Sequence, residues 1–450
     1  MTHQGPSSEG PFSAPFGRLE VNKVTNLTPV LLRDKPKSLI FLAIAIVTLH
    51  IIHASLFYLD APLSEKLAWS ALAFVAGAAV LVQFPSLNRF QRSLLALSYG
   101  LPALIVGIGL HLIHVYEIGV QDSGWTGVPM FFAGLVLTVI GGTMLVRSVH
   151  DWWRRLAFIP AGALVVVVLV FPMTLAVFAT NVPRVPTSAT ETPADRGIFY
   201  EDVSFQTKQG LTLHAWLIPS GNGATIITVH GAGKNRSTVM DEAEVLVHHG
   251  YGVLMVDLEG FGDSEGRANA FGWTGARGIH AATAYLATRD DVDASRIGGL
   301  GLSMGGEVLL QAAGESTALK AIVAEGATAR TAADFGELES MGEFGFVLHT
   351  VVGATMRAIS GEDTPPPLMK MVPRIAPRDV LLIGSQVADE LDLMSRYKEL
   401  GGESFDIWFI PEERHVGGFN LHPEEYEQRV IAFFDGALLQ SGSDQTAATP

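Results

Sequence analysis

At 450 residues, with 48% hydrophobic residues and a mean hydropathy of +0.32, the chain has room for two or three domains and is too apolar as a whole for an ordinary soluble enzyme. Its formal net charge of −15 argues against nucleic acid as a partner, since phosphates need a basic footprint. The lack of any cysteine excludes disulfides, thiolate zinc sites and a cysteine nucleophile.

Charge divides the chain unevenly. Residues 1–180 carry 11 Lys+Arg against 8 Asp+Glu, and the remainder carries 19 against 37. Residues 1–37 open with Gly, Ser and Pro, turn basic at Arg33, Lys35 and Lys37, and read as a disordered cytoplasmic tail. Five apolar blocks follow, at about 38–59, 67–84, 94–118, 127–146 and 156–180. At 1.5 Å per residue the first extends roughly 33 Å, enough for a bilayer core of about 30 Å. Pro102, Pro129, Pro160 and Pro172 are tolerable in such segments. An all-α transmembrane domain of five helices is therefore expected over 38–180. Lys and Arg concentrate in the tail, in the second gap (Arg89, Arg92) and in the fourth (Arg147, Arg154, Arg155). The positive-inside rule then places the N-terminus in the cytoplasm and everything after Thr180 outside, in a multi-pass protein of the cell membrane.

Ionisable groups inside the apolar blocks raise the question of a second function. His50 and His53 share one helical face, as do His111, His114 and Glu117, and imidazoles suit zinc, copper or haem iron. These five are candidate metal ligands, set against plain interhelical hydrogen bonding. No other metal site or cofactor site is expected.

Residues 181–198, with Pro183, Pro186 and Pro193 among threonines and serines, read as a linker. Beyond it strand-like and helix-like runs alternate. Residues 201–208 and 211–219 flank Gln209-Gly210 as a hairpin, and further strands are expected at 224–230, 251–258, 296–302, 320–324, 379–383 and 405–410. Helices are expected at 238–249 and 275–288, and from Pro423 through Tyr426, Val430, Phe433 and Phe434. Eight strands of this kind imply an α/β fold with a mostly parallel sheet. Residues 440–450 read as a disordered tail.

The sequence Gly301-Leu-Ser303-Met-Gly305, between an apolar run and a helical one, has the form of a nucleophile elbow. With Val229-His230-Gly231-Ala232-Gly233, Asp257-Leu-Glu-Gly260-Phe-Gly262-Asp-Ser264, an acid loop and the late His415, it gives residues 199–439 a resemblance to the α/β-hydrolase superfamily, in its bacterial serine esterase and peptidase-like branch. That resemblance implies a triad of Ser303, Asp389 and His415, with Glu390, Glu325 and Asp392 as alternative acids. It also implies an oxyanion hole from the backbone N–H groups of Met304 and of Ala232 or Gly231, and a cap inserted at about 328–378. His230 is expected to support the oxyanion loop. The apolar cap residues Phe335, Met341, Phe344, Phe346, Val347, Met356, Met369 and Met371 suit an acyl pocket or contact with the bilayer.

The expected activity is that of a membrane-anchored serine hydrolase cleaving esters, thioesters or amides through an acyl-enzyme, acting on a small-molecule or lipid acyl substrate beside the lipid bilayer. Two further readings stand beside it: a peptidase or acyltransferase of the same fold, and a non-catalytic sensor whose function lies with the membrane histidines.

Overall fold

A computed structural model describes residues 87–112, 127–182, 184–185, 187, 191–266, 270–336, 342–386, 390–412 and 415–440. The expected spans at 38–59 and 67–84 lie outside these residues.

Among the described residues, three helices are long and apolar enough to cross a membrane: α1 (Arg89–Leu110), α2 (Met130–Ser148) and α3 (Trp152–Thr180). α1 opens on a capping box in which the Asn88 side chain accepts from the N–H of Gln91 and the Gln91 side chain accepts from that of Asn88. α1 and α2 approach at a seam of glycines. A Cβ on Gly107 would stand 2.3 Å from the Phe131 nitrogen, and one on Gly134 2.3 Å from that of Leu104. Gly100 and Gly141 repeat the arrangement one heptad away along each helix, so the two helices approach with backbone close to backbone. The outer faces remain apolar and uncovered: Phe132 is 58% exposed on α2 and Ile159 69% on α3.

The rest of the chain forms an eight-stranded sheet, β1 (Glu201–Gln206), β2 (Thr212–Ile218), β3 (Thr225–Val229), β4 (Gly252–Val256), β5 (Ile297–Leu302), β6 (Ala321–Glu325), β7 (Asp379–Gly384) and β8 (Phe405–Phe409). Their order across the sheet is β1-β2-β4-β3-β5-β6-β7-β8, with β1 and β2 antiparallel and β3 to β8 parallel. Each strand lies within two residues of the sequence expectation. The parallel strands read as unbroken apolar runs because both faces are covered. Ile227, Val229, Leu254 and Val256 face one core with helices α5 (Gly275–Leu286), α6 (Met304–Glu315) and α8 (Glu390–Gly401). Ile226, Val253 and Met255 face the other, with α4 (Met240–His248) and α9 (Pro423–Phe434).

The cap contributes helix α7 (Gly342–Ser360), which packs along the end of α3. Ala176 and Ala179 of α3, Met356 and Val352 of α7, and Ala270 and Trp273 from the β4–α5 connection form one apolar cluster. The segment read as a linker is held against the sheet domain. Val182 joins its core, Val185 O accepts from Asn235, Arg184 donates to Gly266 O, and Arg196 pairs with Asp241 and Glu244.

Candidate active site

The loops at the C-terminal ends of β3, β5, β6, β7 and β8 meet over Ser303. The β5–α6 turn is too tight for ordinary residues. A Cβ on Gly301 would lie 2.4 Å from the Gly305 carbonyl carbon, and one on Gly305 2.3 Å from Val229 O. Ser303 itself is forced to φ +53°, a strain that aims its side chain out of the sheet, and its N–H donates to Glu325 O at 2.7 Å.

The His415 Nε2 lies 2.9 Å from Ser303 Oγ, and its Nδ1 bonds Glu390 Oε1. Because a carboxylate only accepts, Nδ1 carries the proton, and Nε2 is left as acceptor for the serine hydroxyl. Glu390 opens α8 and is 1% exposed. Its Oε2 accepts from the Ser385 N–H at 3.0 Å and the Ser385 hydroxyl at 2.9 Å. Burial pushes this carboxyl up, but the bonds from His415 and Ser385 outweigh it and hold the group below the ordinary carboxylate value.

The sequence points first to Asp389 as the acid, and Asp389 lies outside the described residues; the carboxylate brought to His415 is its neighbour Glu390. Asp392 is exposed on the first turn of α8. Glu325 is buried and accepts from the Gly418 N–H at 2.9 Å, tying the histidine loop to the end of β6.

Two loops supply backbone donors near Ser303. Met304 N begins α6, where unpaired N–H groups and the helix dipole favour an anion. Gly231 packs against the serine, a Cβ there lying 3.5 Å from that of Ser303. His230, 0% exposed, accepts from Leu258 N–H through Nε2, so Nδ1 is protonated and donates to Gly231 O at 2.8 Å. Burial pushes this imidazole's pKa down and keeps it neutral. Since a peptide unit is planar and trans, fixing the Gly231 carbonyl points the Ala232 N–H the opposite way.

A cavity of about 260 Å³ opens on Ser303 and His415, walled by Phe271, Trp273, Glu307 and Arg330. Arg330 is buried, donates to Gly272 O at 2.7 Å, and stands 4.0 Å from Glu307. Burial pushes its pKa down, partly offset by Glu307 and Asp334. Sequence reasoning did not reach this pair, because Glu307 and Arg330 sit on different elements, far apart in the chain, and share no local pattern.

Among the described residues no group of three His, Asp or Glu is placed to hold a metal. His50, His53, His114 and Glu117 lie outside the described residues; His111 falls in the π-turn Ile108–Leu112, and its side chain too lies outside them.

A strained serine on a strand-to-helix turn, joined to a histidine and a buried carboxylate at one end of a mostly parallel eight-stranded sheet, is the arrangement of the α/β-hydrolase fold. The chain carries an α/β-hydrolase domain. The family model for X-Pro dipeptidyl-peptidases of the S15 family matches residues 162–350, fewer than half of the chain, and includes Ser303 but neither Glu390 nor His415. A protein of Salmonella typhi described as uncharacterized protein YfhR is 35% identical over 129 residues, covering 27% of this chain and 42% of that protein. The YfhR protein of Escherichia coli is 26% identical over 249 residues, covering 53% of this chain and 81% of that one. The α/β-hydrolase domain-containing protein WAV2 of Arabidopsis thaliana is 32% identical over 136 residues, 29% of this chain and 44% of that protein. Thus the chain spans less than half the length of the Salmonella and Arabidopsis relatives. Among solved structures, an esterase of Pyrococcus furiosus superposes with a TM-score of 0.48 at 23% identity, over 57% of this chain and 97% of the esterase.

Proposed function

We propose that this α/β-hydrolase domain is a membrane-anchored serine hydrolase that cleaves acyl esters through a covalent intermediate. The observation that carries the reading is the Ser303–His415–Glu390 relay. In the first half-reaction Ser303 Oγ bonds the acyl carbon, its proton passing to His415 Nε2 and then to the departing alcohol as the C–O bond breaks. Glu390 keeps the imidazole in its Nδ1–H tautomer and stabilises the imidazolium, while the N–H groups of Met304 and Ala232 hold the oxyanion. Water oxygen then bonds the acyl carbon as its proton passes to His415, which returns that proton to Ser303 Oγ as the acyl–Oγ bond breaks and the acid leaves. No cofactor enters this chemistry.

The anchoring half of the reading rests on three apolar helices and on the distribution of Arg beside them, which favours the hydrolase domain outside the cell. The proximity of the bilayer favours lipid or acyl-ester substrates. The S15 match supports a second reading, a peptidase acting on Xaa-Pro amides.

A fluorophosphonate probe that does not cross membranes tests the main reading on intact cells. Labelling is expected in the wild type and absent in Ser303→Ala and His415→Ala. Labelling only after lysis would overturn the orientation, and none in either condition with folded protein present would overturn the enzyme. Release from Xaa-Pro anilides exceeding that from acyl esters would favour the peptidase.

A further inference from the structure

Next to the serine pocket, and sharing Phe271, Trp273, Ala329 and Arg330 with it, lies a second cavity of about 730 Å³. That volume falls within the range of small-molecule sites, about 300–1,000 Å³. It is apolar where it leaves the serine. α3 contributes Leu175 and Phe178, and the cap helix α7 contributes Phe346, Val352 and Met356. One wall of a chamber adjoining the nucleophile is therefore the end of a helix with the length and composition of a bilayer span.

Phe271 lines both cavities. It sits on three consecutive residues of positive φ, Ala270 at +39°, Phe271 at +48° and Gly272 at +68°. A bulky aromatic in this region is strained, and the surroundings must hold it. Arg330 does so by donating to Gly272 O, and the Phe178 ring of α3 meets the Phe271 ring edge to face at 5.9 Å. A residue of the apolar span and a buried guanidinium thus fix the wall of the serine pocket together.

The outward side of α7 is also apolar, with Phe344 61% exposed and Val347 53% exposed, and its Ile359 packs against the cluster that joins α1 to α3. Apolar surface on a cap beside a membrane helix is suited to the headgroup–acyl boundary rather than to water.

We propose that this chamber is the acyl-chain site of the hydrolase, and that its occupant is the long straight chain of a carboxylic ester drawn from the adjoining bilayer, passing between α3 and α7 with its ester carbonyl at Ser303. The inference rests on the serine-hydrolase reading above and names its substrate class. A volume for many methylenes, a wall on an apolar helix of bilayer-spanning length and four lining residues shared with the serine pocket are three features that a site for a short, water-borne ester would not need.

Gly353 provides the test. It lines the chamber from α7, and a Cβ there meets nothing within 4 Å, so a larger residue enters empty space and replaces a poor helix former. The full chain, reconstituted in phospholipid vesicles, is assayed with 4-nitrophenyl butyrate and 4-nitrophenyl palmitate. Wild type is expected to favour the palmitate in kcat/KM, and Gly353→Phe to lower palmitate turnover about tenfold or more while changing butyrate turnover less than about twofold. Fluorophosphonate labelling of Ser303 and an unchanged Tm in Gly353→Phe control for folding. Palmitate carried in the enzyme's own vesicles should be cleaved faster than palmitate supplied on albumin; equal rates would overturn delivery from the bilayer. Equal wild-type rates on the two esters, or equal losses in Gly353→Phe, would overturn the acyl site while leaving the hydrolase intact. No butyrate cleavage and no fluorophosphonate labelling of Ser303 would instead bring down the hydrolase reading and this inference with it.

Discussion

The helical region and the sheet region solve opposite problems. In the sheet region, β3 to β6 are buried on both faces, and the side chains exposed at its surface are largely charged and paired, as with Arg289 to Glu201 and Asp291. In the helical region the tightest contacts are glycine to backbone, while phenylalanine, valine and isoleucine face outward. One region spends its large apolar residues on its own interior. The other leaves them for its surroundings and holds itself together with its smallest residues. Large apolar side chains hold the sheet region together from inside, whereas the helical region relies on close backbone packing and keeps its large apolar side chains outward.

The largest effect that would sharpen this contrast is expected at the buried acid. Glu390→Gln should lower kcat about 10⁴-fold, because an amide at that position supports the wrong imidazole tautomer. Asp389→Asn should change it less than about twofold. Steady-state hydrolysis of a water-soluble ester reads both. If Asp389→Asn proves the damaging change, the role of acid passes from Glu390 to Asp389.

A second test asks whether the two regions are separable. Gly134→Leu would drive a side chain into the backbone of Leu104 and should cost the helical region about 1–3 kcal/mol, read as a lower Tm in detergent micelles. Hydrolysis of the same soluble ester should survive below that temperature. Equal loss of both would mean that the regions unfold as one unit.

The smallest effect is pH-dependent stability in the sheet region. Glu242 on α4 is buried, and desolvation pushes its carboxyl up to about 7 from an ordinary 4.5. The contribution of its protonated form is fully present below the ordinary value and is lost as pH rises through about 7. Glu242→Gln should therefore raise stability by about 1–3 kcal/mol at about pH 8 and leave it unchanged below about pH 4.5, in denaturant melts at the two pH values. A gain of the same size at both would exclude the titration.

Strands and the elbow were legible because each is written in local pattern: apolar runs for strands covered on two faces, and glycines two residues either side of Ser303. His415 was legible by its place after β8. The choice between Asp389 and Glu390 was not, since both sit where β7 hands over to α8, and the side-chain packing that singles one out is tertiary. Residues 181–198 carry the composition of a linker, yet Val185 and Arg196 are fastened by partners 45 to 50 positions away and Val182 joins the sheet core. Composition reports how freely a segment would move alone, not what will hold it. The glycines at 100, 107, 134 and 141 were visible as residues, but their pairing across α1 and α2 was not.

Glu325 sets a spacing at the end of the sheet. Its backbone oxygen holds the nitrogen of Ser303 and its side chain holds the nitrogen of Gly418, so a single residue at the end of a central strand spaces two loops more than 100 positions apart in the chain. It works as a gauge block. The gap between Ser303 and His415 is thus set at the end of the sheet, and a change in α7 is expected to leave that spacing as it is.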